Sequence, residues 1–174
     1  TLRAEIDRMK FEYHAHGVEM TRRYASGAVI PDGSPEPPVD YDNELIHRPS
    51  TRPGSAMPHV WLNQRQPGPN VSTLDVAGKG RFVLFTGPGG TAWHEAGKIV
   101  SNALGIELEV VSIGAYQNYE DPYGWWNEYS EGIEEIAVLV RPDLIVAWRS
   151  LSVPTNPAAA LEDAMHAILG HSAL

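Results

Sequence analysis

The segment Gly87-Pro88-Gly89-Gly90-Thr91-Ala92 has the residue types that could hold a phosphate. Its glycines let the backbone approach an anion closely, and it stands between an apolar run and a helical pattern, so that backbone N–H groups at a helix start would face the ligand. A dinucleotide site also wants an acidic residue at the end of the following strand to hold a ribose, and that strand ends Ser112-Ile113-Gly114. The context therefore favours a tight structural turn over a phosphate cradle. His14-Ala15-His16 offers two imidazoles, but a zinc site takes three or four ligands, and His47, His59, His94, His166 and His171 show no ligand spacing. His14, His16 and His59 suit hydrogen bonds where an arm meets a domain, or plain surface exposure. The absence of cysteine removes thiol nucleophiles, thiolate zinc sites and dithiol redox chemistry together. No G-x-S-x-G elbow is present, so nothing brings a hydrolase triad together. Trp125 and Trp126, with Tyr116, Tyr119, Tyr123 and Tyr129, form either a binding face or a small satellite core. Glu131, Glu134 and Glu135 read as a solvated edge. No residue is assigned as catalytic, cofactor-binding or metal-ligating.

A chain of 174 residues has room for one core plus an appendage. With 43% hydrophobic and 20% charged residues its composition is that of an ordinary globular protein, and no apolar run approaches the roughly 18 residues of a membrane span. The net charge of −9 repels a phosphate backbone, and no Lys/Arg stripe interleaved with aromatics overrides it, which argues against nucleic acid. The lack of cysteine fits a reducing compartment, so a cytoplasmic location is expected. The chain opens Thr1-Leu2-Arg3 without a start Met and reads as a piece of something longer.

Leu2, Ile6, Met9 and Tyr13 recur at helical steps, which predicts an amphipathic helix from residue 1 to about 13, behind a Thr1 cap, whose apolar face needs a partner. From Val29 to Pro69 the composition turns proline-rich: Pro31, Pro35, Pro37, Pro38, Pro49, Pro53, Pro58, Pro67 and Pro69 predict a mostly extended arm. Tyr41, Leu45, Ile46, Val60, Trp61 and Leu62 supply apolar anchors by which it would dock on a neighbouring domain. After Gly78 an α/β pattern begins. A buried strand is expected over 81–86, a helix over 91–104 closed by Gly105, and a parallel strand over 108–113. An irregular aromatic piece follows, then a hairpin of 136–140 and 144–148 about Pro142-Asp143, and a last helix from Pro157 to Gly170. The expected class is α/β: a thioredoxin-like β-α-β-β-β-α domain over 71–174, preceded over 1–70 by a helix and a long Pro-rich arm.

Four strings resemble the terminal region of FAD-dependent phenol and dichlorophenol hydroxylases. RPSTRPGSAMPHVWL, Arg48 to Leu62, is similar to the segment by which that family enters its terminal domain, and FEYHAHGVEMTRRY, Phe11 to Tyr24, looks like its HG-E-RY segment. Ser72-Thr73-Leu74-Asp75, followed by Gly80-Arg81-Phe82, resembles the domain's first strand pair, and Ala137 to Asp143 with Ala147-Trp148-Arg149 resembles its hairpin. The strings keep the family's order across nearly the whole chain. One departure is Leu144, where the family has Gly after the turn Asp; a Leu predicts a turn that avoids positive φ. The resemblance implies a parent enzyme in which NAD(P)H reduces FAD and one oxygen atom passes to the ring carbon ortho to a phenol hydroxyl. It also implies that the FAD and substrate domains lie upstream and are this region's partners, that a homodimer contact is possible, and that no cofactor is held here. The competing expectation is an autonomous thioredoxin-fold protein that binds a nucleotide or another small ligand at the Gly87–Gly90 turn.

Overall fold

The structure is a computed structural model that describes residues 2–35, 42–64 and 68–170, with Lys10 and Phe11 described by their backbone alone. Pro37, Pro38, Tyr41, Pro67 and His171 lie outside the described residues.

Two helices open the chain, α1 (Leu2–Tyr13) and α2 (His16–Met20). The strand β1 (Trp61–Gln64) and the two-residue β2 (Val71–Ser72) lead into a short helix, α3 (Thr73–Ala77). Then come β3 (Phe82–Thr86), α4 (Ala92–Leu104), β4 (Leu108–Ser112), β5 (Tyr119–Glu120) and α5 (Trp125–Tyr129). The chain closes with β6 (Ala137–Val140), β7 (Val146–Ser150) and α6 (Pro157–Ile168).

The main sheet has the order β4-β3-β6-β7. β3 and β4 run parallel through the α4 crossover, and β6 is antiparallel to both β3 and β7. Side chains alternate across it, as the strand period demands. Val83, Phe85, Val138 and Val140 face one core with Trp126, Ile136, Val60 and Leu62; Leu84, Ala137 and Leu139 face the other with Trp93, Val100, Leu161 and Met165. Three layers result: α4 and α6, the sheet, and a layer built from β1, α3 and α5. Gly97 permits the close seating of α4, since a Cβ there would overlap a methyl of Val110.

The predicted elements from 82 to 168 are present, with boundaries moved by one or two residues. Within the arm, β1 forms a second, antiparallel sheet with β2 and β5. Three local expectations need correction. Ser72 to Asp75 is a strand end passing into a helix rather than a strand pair, because the Ser72 hydroxyl accepts from the Asp75 N–H while the Asp75 carboxylate accepts from the Ser72 N–H, a capping box that starts α3. The second hairpin strand begins at Val146, two residues late. Leu144 does take positive φ (66°): the Arg141 N–H bonds the Ile145 carbonyl, the Leu144 N–H bonds the Arg141 carbonyl, and the Leu144 side chain packs on the core, which offsets the steric cost.

Two stretches of the arm, at Ile30 and at Gly54-Ser55, lie along the outer edge of β7. The Val146 N–H bonds the Ser55 carbonyl at 2.9 Å, the Gly54 N–H bonds the Val146 carbonyl at 2.8 Å and the Ile30 N–H bonds the Ala147 carbonyl at 2.7 Å. An edge strand that would otherwise offer unpaired backbone groups is thereby covered.

Candidate functional site

The Gly87–Gly90 turn is built for packing. A Cβ on Gly87 would overlap the Glu134 carbonyl, and one on Gly90 would overlap the Thr86 hydroxyl. The Gly89 N–H donates to the Glu134 carbonyl at 3.0 Å and the Gly90 N–H to the Gly87 carbonyl at 3.1 Å. Those donors are the ones a phosphate would need, and they are already engaged. The Thr86 hydroxyl donates to the Ile136 carbonyl and the Trp93 indole to the Glu135 carbonyl, so the turn locks β3 and α4 against the start of β6.

Beside this turn, at the carboxyl ends of the parallel strands, lies a cleft of about 590 Å³, in the place where open α/β sheets commonly take ligands. Pro88, Ile113, Trp126 and Ile133 give it apolar walls; Asn63, Glu120, Asp121, Asn127 and Glu134 give it polar ones. No Lys or Arg is among the described residues that line it. The aromatic cluster divides here. Trp126 is buried and packs on Phe85 at a ring-centroid distance of 5.8 Å, and Tyr119 and Tyr129 lean on the same core, whereas Tyr116, Tyr123 and Trp125 are exposed. Asp121 fixes α5, accepting from the Trp125 and Asn127 N–H groups. The indole Nε1 of Trp126 is the one buried side-chain N or O among the described residues that has no hydrogen-bond partner.

The histidines stay apart. His14 and His16 flank the α1–α2 connection, His47 lies by Thr21, His59 stands edge-on to Trp61 with centroids 4.8 Å apart, and His166 faces Glu162. No cluster of three His, Cys, Asp or Glu side chains able to hold a metal occurs among the described residues. His94 meets Ser112 at 2.6 Å, a pair that a separation of 18 residues does not advertise. Burial, with the Lys98 charge second, lowers the His94 pKa. No carboxylate is hydrogen-bonded to His94 among the described residues, so the pair pins α4 to β4 without the orienting acid of a triad.

The most developed polar site lies elsewhere. The guanidinium of Arg149 on β7 is fully buried and pairs with Asp32; it also donates to Glu131 at 2.9 Å, to the Thr51 hydroxyl at 3.3 Å and to the Ser34 hydroxyl at 3.2 Å. Arg52 adds a donor to Ser34 and an ion pair to Glu131. Burial alone would raise the Asp32 pKa, but hydrogen bonds from Ser34 and Arg149 and the Arg149 charge outweigh it and hold the group at about 2. Glu131 joins the network from its rim: its side chain is 43% exposed and still pairs with both arginines. Its backbone is left-handed, with φ 60°. This node ties the arm to the sheet, and its Asp32 and Ser34 also line a cavity of about 520 Å³ with Arg23, Tyr24 and Val29.

The N-terminal segment also exposes apolar side chains. Leu2, Ile6, Met9 and Tyr13 on α1 are from 46% to 78% exposed, and Val18, Met20, Tyr24 and Ile46 lie open as well.

Comparison with known proteins agrees with the sequence pattern. The profile of the family described as aromatic-ring hydroxylase, C-terminal, matches residues 50–172. The chain is 49% identical to a 2,4-dichlorophenol 6-monooxygenase of Cupriavidus pinatubonensis, over 97% of this chain and 28% of that protein. It is 41% identical to a phenol 2-monooxygenase of a Pseudomonas species, over 94% and 27%. Its structure superposes on the flavin-dependent monooxygenase PieE, solved with FAD and substrate, with a TM-score of 0.87 and 44% identity over 98% of this chain and 29% of PieE. The chain therefore spans less than a third of the length of these relatives. It belongs to the family of C-terminal regions of aromatic-ring hydroxylases.

Proposed function

We propose that this chain is the non-catalytic C-terminal part of an FAD- and NAD(P)H-dependent monooxygenase that hydroxylates phenols ortho to the hydroxyl. Its work is mechanical: residues 1–70 connect the upstream FAD and substrate domains to the unit at 71–174, which braces them, and a second copy of the chain is the other partner such a surface would accept. We read the β3-α4-β4-β6-β7-α6 unit as thioredoxin-like on its strand order, without thiol chemistry. The observation that carries the proposal is the open apolar row of α1. A helix with Leu2, Ile6, Met9 and Tyr13 facing water is what remains when a buried contact is cut away from its other half. The described residues do not fit FAD. The glycine turn has its N–H donors engaged, and the cleft beside it carries Glu120, Asp121 and Glu134, whose charges would repel a pyrophosphate. The flavin, whose chemistry is its own, is therefore assigned to the upstream part.

The test is FAD absorbance and fluorescence on the purified chain beside a longer polypeptide that includes the upstream region. The longer polypeptide is expected to bind FAD and to oxidise NAD(P)H when phenol is added, and the chain alone to do neither. A yellow, flavin-loaded preparation of the 174-residue chain would overturn the assignment.

A further inference from the structure

We propose that the hollow formed by residues 20–23 and 47–56 is a docking surface for a carboxylate-bearing segment of the upstream part of the same polypeptide. The inference rests on the reading that such a part is this region's partner, and it names the chemistry by which the partner is held. Arg22, Arg23, Arg48 and Arg52 line the hollow with Met20 and His47, and no Asp or Glu is among the described residues that line it. Four of the 13 Lys and Arg residues therefore meet at one place on a chain whose net charge is −9. Arg52 is engaged by Ser34 and Glu131, whereas Arg22, Arg23 and Arg48 are exposed. A locally positive surface on an acidic chain selects an acidic partner. The volume of about 60 Å³ admits a carboxylate-sized group and is far below the roughly 300 Å³ at which small-molecule sites begin, so a nucleotide is excluded. The surface is held in shape within this chain. The Val18 N–H donates to the Glu44 carbonyl at 3.1 Å, Thr21 meets His47 at 3.3 Å, the Tyr24 N–H donates to the Gly54 carbonyl at 2.9 Å and Arg23 donates to the Pro53 carbonyl at 3.4 Å. In the same segments Val18, Met20, Tyr24 and Ile46 are from 45% to 61% exposed. Met, Tyr and Arg together, without Lys, are the composition of an interface rather than of a solvated face. The occupant is assigned to the upstream part on two grounds. The patch follows directly on α1, whose open apolar row is given to that part, and the chain covers only 28% of the dichlorophenol monooxygenase it matches.

The test is amide hydrogen exchange, read by mass spectrometry on peptides from 16–24 and 43–50, in the chain alone and in the longer polypeptide that includes the upstream region. Exchange in these peptides is expected to be about tenfold slower in the longer polypeptide. Arg22→Glu should speed it there about fivefold and Arg22→Lys, which keeps the charge, less than about twofold. Neither variant should change exchange in the chain alone or over β3 and β6, because Arg22 is exposed. Slower exchange over α1 but not over 16–24 and 43–50 would overturn this inference and leave the accessory-region reading standing, whereas no slowing over either would sink both. Arg22→Glu without effect, or Arg22→Lys as disruptive as Arg22→Glu, would show that a carboxylate is not what binds. Protection that appears in the chain alone as its concentration rises would assign the surface to a second copy. Equal protection of the chain alone by about 10 mM inorganic phosphate would assign it to a small anion. Either result overturns the proposal.

Discussion

α4 and α1 both carry apolar residues at helical spacing, and they end in opposite surroundings. On α4, Trp93, Ala96 and Val100 are buried against Leu84, Leu139 and Met165, and a left-handed Gly105 closes the helix. On α1, Leu2, Ile6 and Met9 stand in solvent although the helix is nearly as long. What separates them is a facing element: α4 has a sheet and α6 within its own chain, and α1 has neither among the described residues. Amphipathic spacing therefore specifies that a face will be buried and leaves open which polypeptide buries it. Substitutions on the two helices should differ accordingly, and the largest effect belongs to the covered one. Trp93→Ala removes a fully buried ring that also donates to the Glu135 carbonyl and meets Trp148 edge-on at 5.7 Å. A loss of about 3–5 kcal/mol is expected in urea unfolding, with the slope unchanged. A loss under about 1 kcal/mol would mean that α4 is no better anchored than α1.

The arm tests the comparison from the side of charge. Arg149→Ala takes the buried cation from Asp32, while Glu131 keeps its ion pair with Arg52, and a loss of about 3 kcal/mol is expected, the usual effect of breaking one side of a buried pair. Arg149→Met, of similar volume, should lose less if Asp32 is removed with it, because the uncompensated charge is then gone as well. If both single variants and the double variant unfold alike, the network does not couple arm to sheet.

The same node fixes a pH dependence. Asp32 is held at about 2 against an ordinary 3.8. A depressed folded pKa contributes stability that is complete above the unfolded value and is lost as pH falls through the folded one. The chain should therefore lose about 2 kcal/mol between roughly pH 4 and pH 2, and Asp32→Asn should remove that slope while lowering stability at neutral pH. An Asp32→Asn variant with an unchanged acid limb would place the titrating group elsewhere.

How much of this was legible in the sequence depends on how local its cause is. β3 was legible because both its faces are buried, which leaves one unbroken apolar run from Phe82 to Phe85. β1 was not, since only Leu62 of its four residues is buried and prolines precede and follow it; its strand character comes from pairing with β2 and β5, tens of residues away in part. Arg149 reads as a surface residue until Asp32, 117 positions earlier, is known to lie beside it. Trp125 and Trp126 are adjacent, and in a helix of five residues no period is long enough to say which one turns inward. The glycine turn was expected to be structural on a test, an acidic residue after β4, that could be applied to the sequence itself; its packing against Glu134 and Thr86 is what the structure adds.

The smallest expected effect is the most informative about α1. Ile6→Gln exchanges an apolar side chain that is 53% exposed for a polar one of good helix propensity. In the chain alone, melting should move by less than the equivalent of about 0.5 kcal/mol, the range of ordinary surface changes. In the longer polypeptide the same substitution should cost about 1–3 kcal/mol, because there Ile6 would give up its buried contact and place a polar amide against it. The ratio of the two effects measures how completely upstream residues cover this face. Equal effects in both would mean that α1 faces water in the whole protein too, and that the arm and the Arg149 node carry the attachment unaided.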